Sequence, residues 1–230
     1  MASRDTRRIR AVIFDLDGVI VDSEIWWHEV RVAWAAAHDR QWTHEDSRAV
    51  MGANSRGWAK IMRERLDLEP GTEPEIERDI VDGVIERYQR EGAPRIEGAV
   101  EAVRRLAARF PVAVASSAHP AVIRAALEAV ELVGVIPVVV SSDEVEHGKP
   151  SPDVYLEAAQ QLEVPPAECL VVEDSLNGVK AARAAGMHVV LVPNATVPPA
   201  KEAFELADEV LPSLRALDPD SVDGGVEAHR

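Results

Sequence analysis

The chain has 230 residues, 47% of them hydrophobic, enough to bury a sizeable core as one domain with an insertion or as two small domains. A formal net charge of −15 argues against nucleic acid or an anionic membrane as partner, so any acidic substrate must meet locally gathered positive charge. The single cysteine, Cys169, excludes an internal disulfide and fits a reducing, cytoplasmic location, and no apolar run reaches about 18 residues, so no membrane span is expected.

Met1–Arg10 carries four arginines and leads into a strand where a signal peptide would need its apolar stretch. It reads as a ragged terminus. The apolar run Ala11–Phe14 predicts a buried strand that stops at Asp15-Leu16-Asp17-Gly18. Residues two apart in an extended segment share a face, roughly 6.5 Å apart, and Gly18 lets the backbone turn without a Cβ penalty. Two acids at a strand end would sit in the crevice where open α/β sheets bind ligands. A hard cation with oxygen ligands is one reason for such like charges to coexist. A solvated turn is the plainer one.

Next comes a helical region. Ser23–Asp39 places Trp27, Val30, Trp34 and Ala37 at helical spacing, and further helices are expected over Glu45–Val50, Arg56–Leu66 and Glu73–Arg90. Thr72-Glu73-Pro74-Glu75 reads as a capping box with proline in the first turn. All five tryptophans fall between Trp26 and Trp58. No strand signal occurs between Val21 and Ala93.

From Gly98 the pattern alternates. Helix Ala99–Arg109, strand Val112–Ala115, helix Ala121–Ala129, strand Val138–Val140, helix Pro152–Leu162, strand Leu170–Val172, helix Leu176–Ala185 and strand His188–Val192 follow one another. A weak strand Glu209–Leu211 closes the series, and Asp218–Arg230 reads as a frayed tail. The fold class is therefore α/β, a Rossmann-like parallel sheet with right-handed crossovers, carrying an inserted all-helical cap. The expected division is residues 1–20 and 94–230 for the core and 21–93 for the cap.

Polar residues recur at the strand ends. Ser116-Ser117 precedes a helix, where hydroxyls and free N–H groups would bind an anion or merely cap the helix. Lys149, before Pro150, could neutralise a phosphate as a point charge or lie on the surface. Glu173-Asp174 could favour a helix dipole, or approach Asp15 if their strands are neighbours. Mg²⁺ takes one or two carboxylates with waters and phosphate oxygens, so Asp15, the Asp17 carbonyl and Asp174 would suit it.

The sequence Asp15-x-Asp17-Gly18-Val19, followed in order by Ser116, Lys149-Pro150 and Glu173-Asp174, resembles the four motifs of the haloacid dehalogenase-like hydrolases over nearly the whole chain. The helical insertion and the run from Gly178 to Gly186 are similar to the family's phosphoglucomutase-like branch. The resemblance implies a Mg²⁺-dependent phosphatase in which Asp15 forms an aspartyl phosphate and Asp17 serves as acid and then base. It further implies that Ser116 and the Ser117 amide hold the phosphoryl group and that Lys149 balances its charge. Asp15, Asp17 and Asp174 would form the metal site, with Glu173 on the metal or behind it.

The expected substrate is a small phosphorylated metabolite, a sugar or polyol phosphate, handled by a monomer, with a homodimer as the alternative. Arg56, in a loop resembling one that faces the active site in related enzymes, would contact the substrate's far end or else remain solvated. A β-phosphoglucomutase is the competing activity. Compared mutases carry a histidine where this chain has Trp27, and His28 lies one residue, hence 100°, off. A 2-haloacid dehalogenase would lack Asp17, and an intact acid/base pair with a lysine argues against a non-catalytic phosphate-binding module.

Overall fold

The computed structural model describes residues 6–223 and 226–227. Six parallel strands form one sheet: β1 Ala11–Phe14, β2 Val112–Ser116, β3 Val138–Ser141, β4 Cys169–Glu173, β5 His188–Leu191 and β6 Glu209–Val210. Their spatial order is β3-β2-β1-β4-β5-β6. The order reverses at β1, so β1 is flanked by β2 and β4, with Phe14 level with Val114 on one side and Val172 on the other. That register brings Asp15, Ser116 and Glu173 to one edge of the sheet, the place where a doubly wound sheet opens a crevice.

Period-two alternation explains the two cores. Val12 and Phe14 face the layer built from α5 (Ala99–Ala107) and α6 (Pro120–Ala129). Ala11 and Ile13 face α7 (Asp153–Gln161), α8 (Leu176–Ala184) and α9 (Lys201–Leu206). All four residues of β1 are fully buried, as expected for a central parallel strand covered on both faces.

Four helices stand between β1 and α5: α1 Glu24–Ala37, α2 His44–Val50, α3 Ser55–Arg65 and α4 Glu73–Glu91. Their buried side chains, among them Trp27, Trp58, Met62, Ile76 and Ile80, join the core cluster of the α5–α6 face. The loop between α2 and α3 reaches the sheet's edge. There Ser117 Oγ donates to Gly52 O at 3.3 Å, and the Ser55 amide donates to Asp143 Oδ1 at 2.8 Å. On the other flank Asp22 accepts from Asn194 Nδ2 and Thr196 Oγ1.

Several expectations need correction. The Thr72 hydroxyl makes no capping bond and donates instead to Glu69 O, because Thr72 itself has helical dihedrals (φ −83°, ψ −8°). A reciprocal capping box is found at α2, where Thr43 and Asp46 each bond the other's backbone amide. The expected frayed tail contains a short helix, α10 (Pro219–Asp223), whose Val222 is buried in the core; Gly224, Gly225 and residues 228–230 lie outside the described residues. Thr6–Arg7 of the expected ragged terminus pairs antiparallel with Val226–Glu227, and residues 1–5 lie outside the described ones. Strand β4 extends one residue beyond its apolar run at each end, to Cys169 and Glu173, since buried partners satisfy the Glu173 carboxylate. Among the described residues no helix is long and apolar enough to cross a membrane.

Candidate active site

Asp15 follows the last residue of β1, and its amide donates to Val172 O at 3.0 Å, which ties it to β4. The chain then turns at Gly18 (φ +86°), where a Cβ would lie 2.0 Å from Asp174 Oδ2. Only glycine allows both the left-handed dihedral and this approach. Asp15, Glu173 and Asp174 therefore cluster, each offering an oxygen within 4.8 Å of the others.

Lys149 is the counter-ion of the cluster. Its Nζ donates to Asp15 Oδ1 at 2.7 Å, to Glu173 Oε1 at 2.7 Å and to Ala115 O at 3.1 Å. All three ammonium protons are thus placed. Burial alone would depress the lysine, but the charges of Asp15 and Glu173 hold its pKa well above the ordinary value.

Glu173 is fully buried. Its Oε1 also accepts from Tyr155 Oη at 2.7 Å, and its Oε2 accepts from the amides of Asp174 and Ser175 and from Ser175 Oγ. A Cβ at Gly178, on the first turn of α8, would lie 1.6 Å from Glu173 Oε1. Burial pushes the Glu173 carboxyl up, yet Lys149 and these donors outweigh it and hold the group below its ordinary value. Five protein donors occupy its oxygens, so Glu173 holds Lys149 and the start of α8, and it belongs to the acid cluster from behind Asp15 and Asp174.

Asp15 and Asp174 are different. Burial pushes the Asp15 carboxyl up to about 7, with Lys149 pulling it down against the charge of Glu173. Asp174 is raised well above its usual range by burial and then by Glu173 and Asp15. Burial is the larger cause for both, and three acids sharing one lysine leave an excess of negative charge that adds to it. A divalent cation with oxygen ligands would remove that excess, and no histidine or cysteine belongs to the cluster. The donor set therefore fits Mg²⁺ rather than zinc.

Asp17 lines the same cavity as Asp15 and Asp174, and its charge adds to the raising of the Asp15 carboxyl. Ser23 Oγ, at the start of α1, hydrogen-bonds its Oδ1. Burial raises the Asp17 carboxyl against the opposing effects of Ser23 and then the Trp27 indole. Of the three side chains expected to converge, Asp15 and Asp174 share the tight cluster with Glu173, and Asp17 lines the same cavity with its carboxylate bonded to Ser23.

These residues open on a cavity of about 440 Å³ between the strand ends and the helical region, a size suited to a small metabolite. Ser116 and Ser117 line it, as expected. Ser116 Oγ accepts from the Ala118 amide at 3.1 Å, which folds the chain after β2 into α6. Met51, Gly52 and Ala53 line the cavity from the α2–α3 loop, whereas Arg56 does not. Arg56 occupies the first turn of α3 and is exposed. Sequence reasoning missed two cations that do line the cavity, Arg31 from α1 and Arg48 from α2. The sequence offers only the spacing of Arg31, four residues after Trp27 and four before Ala35; that all three are buried is seen in the structure alone.

A family profile described as haloacid dehalogenase-like hydrolase matches residues 9–186. The chain is 33% identical over 205 residues to a bifunctional riboflavin kinase/FMN phosphatase of Arabidopsis thaliana, covering 88% of this chain but only 53% of that protein. It is 32% identical over 228 residues to a probable pseudouridine-5'-phosphatase of Drosophila melanogaster, covering 96% of each. The crystal structure of CbbY from Rhodobacter sphaeroides in complex with phosphate superposes with a TM-score of 0.83 at 25% identity, over 94% of this chain and 99% of that one. The strand-end carboxylates, the sheet order and the matched span agree, and the chain belongs to the haloacid dehalogenase-like hydrolases.

Proposed function

We propose that the protein is a Mg²⁺-dependent phosphomonoester hydrolase that works through an aspartyl phosphate on Asp15, with residues 21–93 forming a cap over a core of 1–20 and 94–230. One observation carries the reading. Asp15 lines the cavity with Oδ1 bound by Lys149, and among the described residues no protein donor engages Oδ2.

Asp15 Oδ2 attacks phosphorus, and the electron pair of the breaking P–O bond passes to the leaving oxygen, which takes a proton from Asp17. The Asp17 carboxylate so formed then accepts a proton from the water that attacks the phosphoaspartate, releasing phosphate and restoring Asp15. Lys149 keeps Asp15 oriented and offsets the charge of the incoming phosphate, while Ser116 and Ser117 flank it. Magnesium, held by Asp15, Asp174 and the Asp17 carbonyl, would supply positive charge against the phosphoryl oxygens.

The phosphoryl group goes to water rather than to a second sugar hydroxyl. Trp27 lines the cavity and its indole acts on Asp17, and an indole N–H only donates and does not titrate. Asp17 is therefore not coupled to an ionising ring.

Inorganic phosphate released from p-nitrophenyl phosphate with Mg²⁺ tests the reading. Wild-type protein is expected to turn over, and folded Asp15→Asn to lose activity altogether. More than a few per cent of wild-type activity in the variant would remove Asp15 as the nucleophile. With β-glucose 1-phosphate and a trace of the 1,6-bisphosphate, glucose 6-phosphate forming faster than phosphate would instead establish a mutase.

A further inference from the structure

Arg31 is 6% exposed, yet no hydrogen bond or ion pair reaches any of its nitrogens among the described residues, and its Nε is buried without a partner. Two indoles hold its guanidinium. The guanidinium carbon lies 5.1 Å from the Trp27 ring centroid and 5.3 Å from that of Trp58, and the two rings meet edge to face at 6.2 Å. Burial pushes the Arg31 pKa down to about 10, and Glu24, two turns earlier on α1, and then Asp17 oppose this through space without forming an ion pair with it. Burying a guanidinium with its donors unused is costly, and stacking on aromatic faces recovers only part of that cost.

The location gives the cost a use. Arg31 lines the same cavity as Asp15, Lys149 and Ser116, but from the cap side. Its donors are fixed by the two tryptophans, and a planar fork of N–H groups matches a carboxylate or a phosphate. The phosphoryl end of a substrate already has Lys149 and the serines. Arg31 is thus available to the other end.

We propose that Arg31 is a specificity-determining residue that binds a second anionic group on the substrate, so that the preferred substrate is a compact phosphomonoester carrying a carboxylate or a second phosphate. This rests on the phosphatase reading of the same cavity. A purely structural Arg31 would wedge Trp27 against Trp58 and leave substrate preference unmoved.

Two substrate pairs test the proposal and separate the two sources of charge: 3-phosphoglycerate against glycerol 3-phosphate, and fructose 1,6-bisphosphate against fructose 1-phosphate. In wild-type protein the doubly anionic member of at least one pair is expected to have the higher kcat/KM. In Arg31→Gln that advantage falls roughly 10- to 100-fold, chiefly through KM, as loss of a charge-assisted pair implies. Arg31→Lys, which keeps a point charge, retains part of it. No advantage in either pair, or an advantage that survives Arg31→Gln, overturns the proposal. If the variants do not fold, the wild-type ratios decide. If no substrate, p-nitrophenyl phosphate included, releases phosphate, the hydrolase reading fails by itself, and calorimetric binding of the same pairs still decides the role of Arg31.

Discussion

The two walls of the cavity are built on opposite principles. On the core wall the groups behind Asp15 have their partners: Lys149 uses three protons on three acceptors, and Glu173 accepts from five donors. On the cap wall a guanidinium is held by aromatic faces and its donors are unspent. A saturated network fixes atoms where a reaction needs them before substrate arrives. An unsaturated cation waits for a group that the protein does not supply. On the proposed reading, chemistry falls to the wall whose network is built in advance and recognition to the wall whose donors are left open.

One feature of the core wall is incomplete, the excess of carboxylate over lysine at Asp15 and Asp174, and removing the Mg²⁺ proposed to balance it is expected to give the largest effect. Excess chelator is expected to abolish phosphate release, and added Mg²⁺ to restore it. Full activity in chelator would mean that the acid cluster is balanced some other way.

The rigidity of the saturated wall can be broken from behind. In Gly178→Ala the new methyl must displace Glu173 Oε1, which it would otherwise approach to 1.6 Å, and with it the bonds to Lys149 and Tyr155. A loss of roughly 10- to 100-fold in kcat/KM is expected, the range for residues that orient catalytic groups. A variant within twofold of wild type, with an unchanged melting temperature, would show that Glu173 is less firmly fixed than its contacts imply.

The smallest effect sharpens the contrast from the cap side. Thr43→Ala removes the α2 capping box and is expected to cost about 1 kcal/mol of stability, read from denaturant unfolding. Thr43 is exposed and does not line the cavity, so kcat/KM should hold. A fall in kcat/KM together with stability would mean that the helical region transmits local loosening to the cavity.

The saturated wall was the legible one. Asp15, Lys149 and Glu173 stand where apolar runs or a proline punctuate the chain, and each interruption by charge is visible in one dimension. The strands were legible for the same reason, since central parallel strands read as short unbroken apolar runs. The cap wall was not. Arg56 drew attention because it closes the loop-like run Met51–Arg56, whereas Arg31 sits mid-helix among apolar residues, where a long cationic side chain normally snorkels to water. Only the packing of Trp58, from another helix, against Trp27 shows that it does not. The Thr72 expectation failed for a related reason. A capping box depends on the dihedrals of its first residue, and sequence spacing does not report them.

The bond between the Ser55 amide and Asp143 has a further consequence. Ser55 opens α3, so one of the first amides of that helix finds its acceptor on the opposite lobe of the molecule. If the two lobes part to admit substrate or release product, this amide loses its carboxylate, and so does the Ser117 hydroxyl its carbonyl at Gly52. Both must then be met by solvent, because buried polar groups are not left unpaired. Parting the lobes is therefore a hydration reaction as much as a hinge motion.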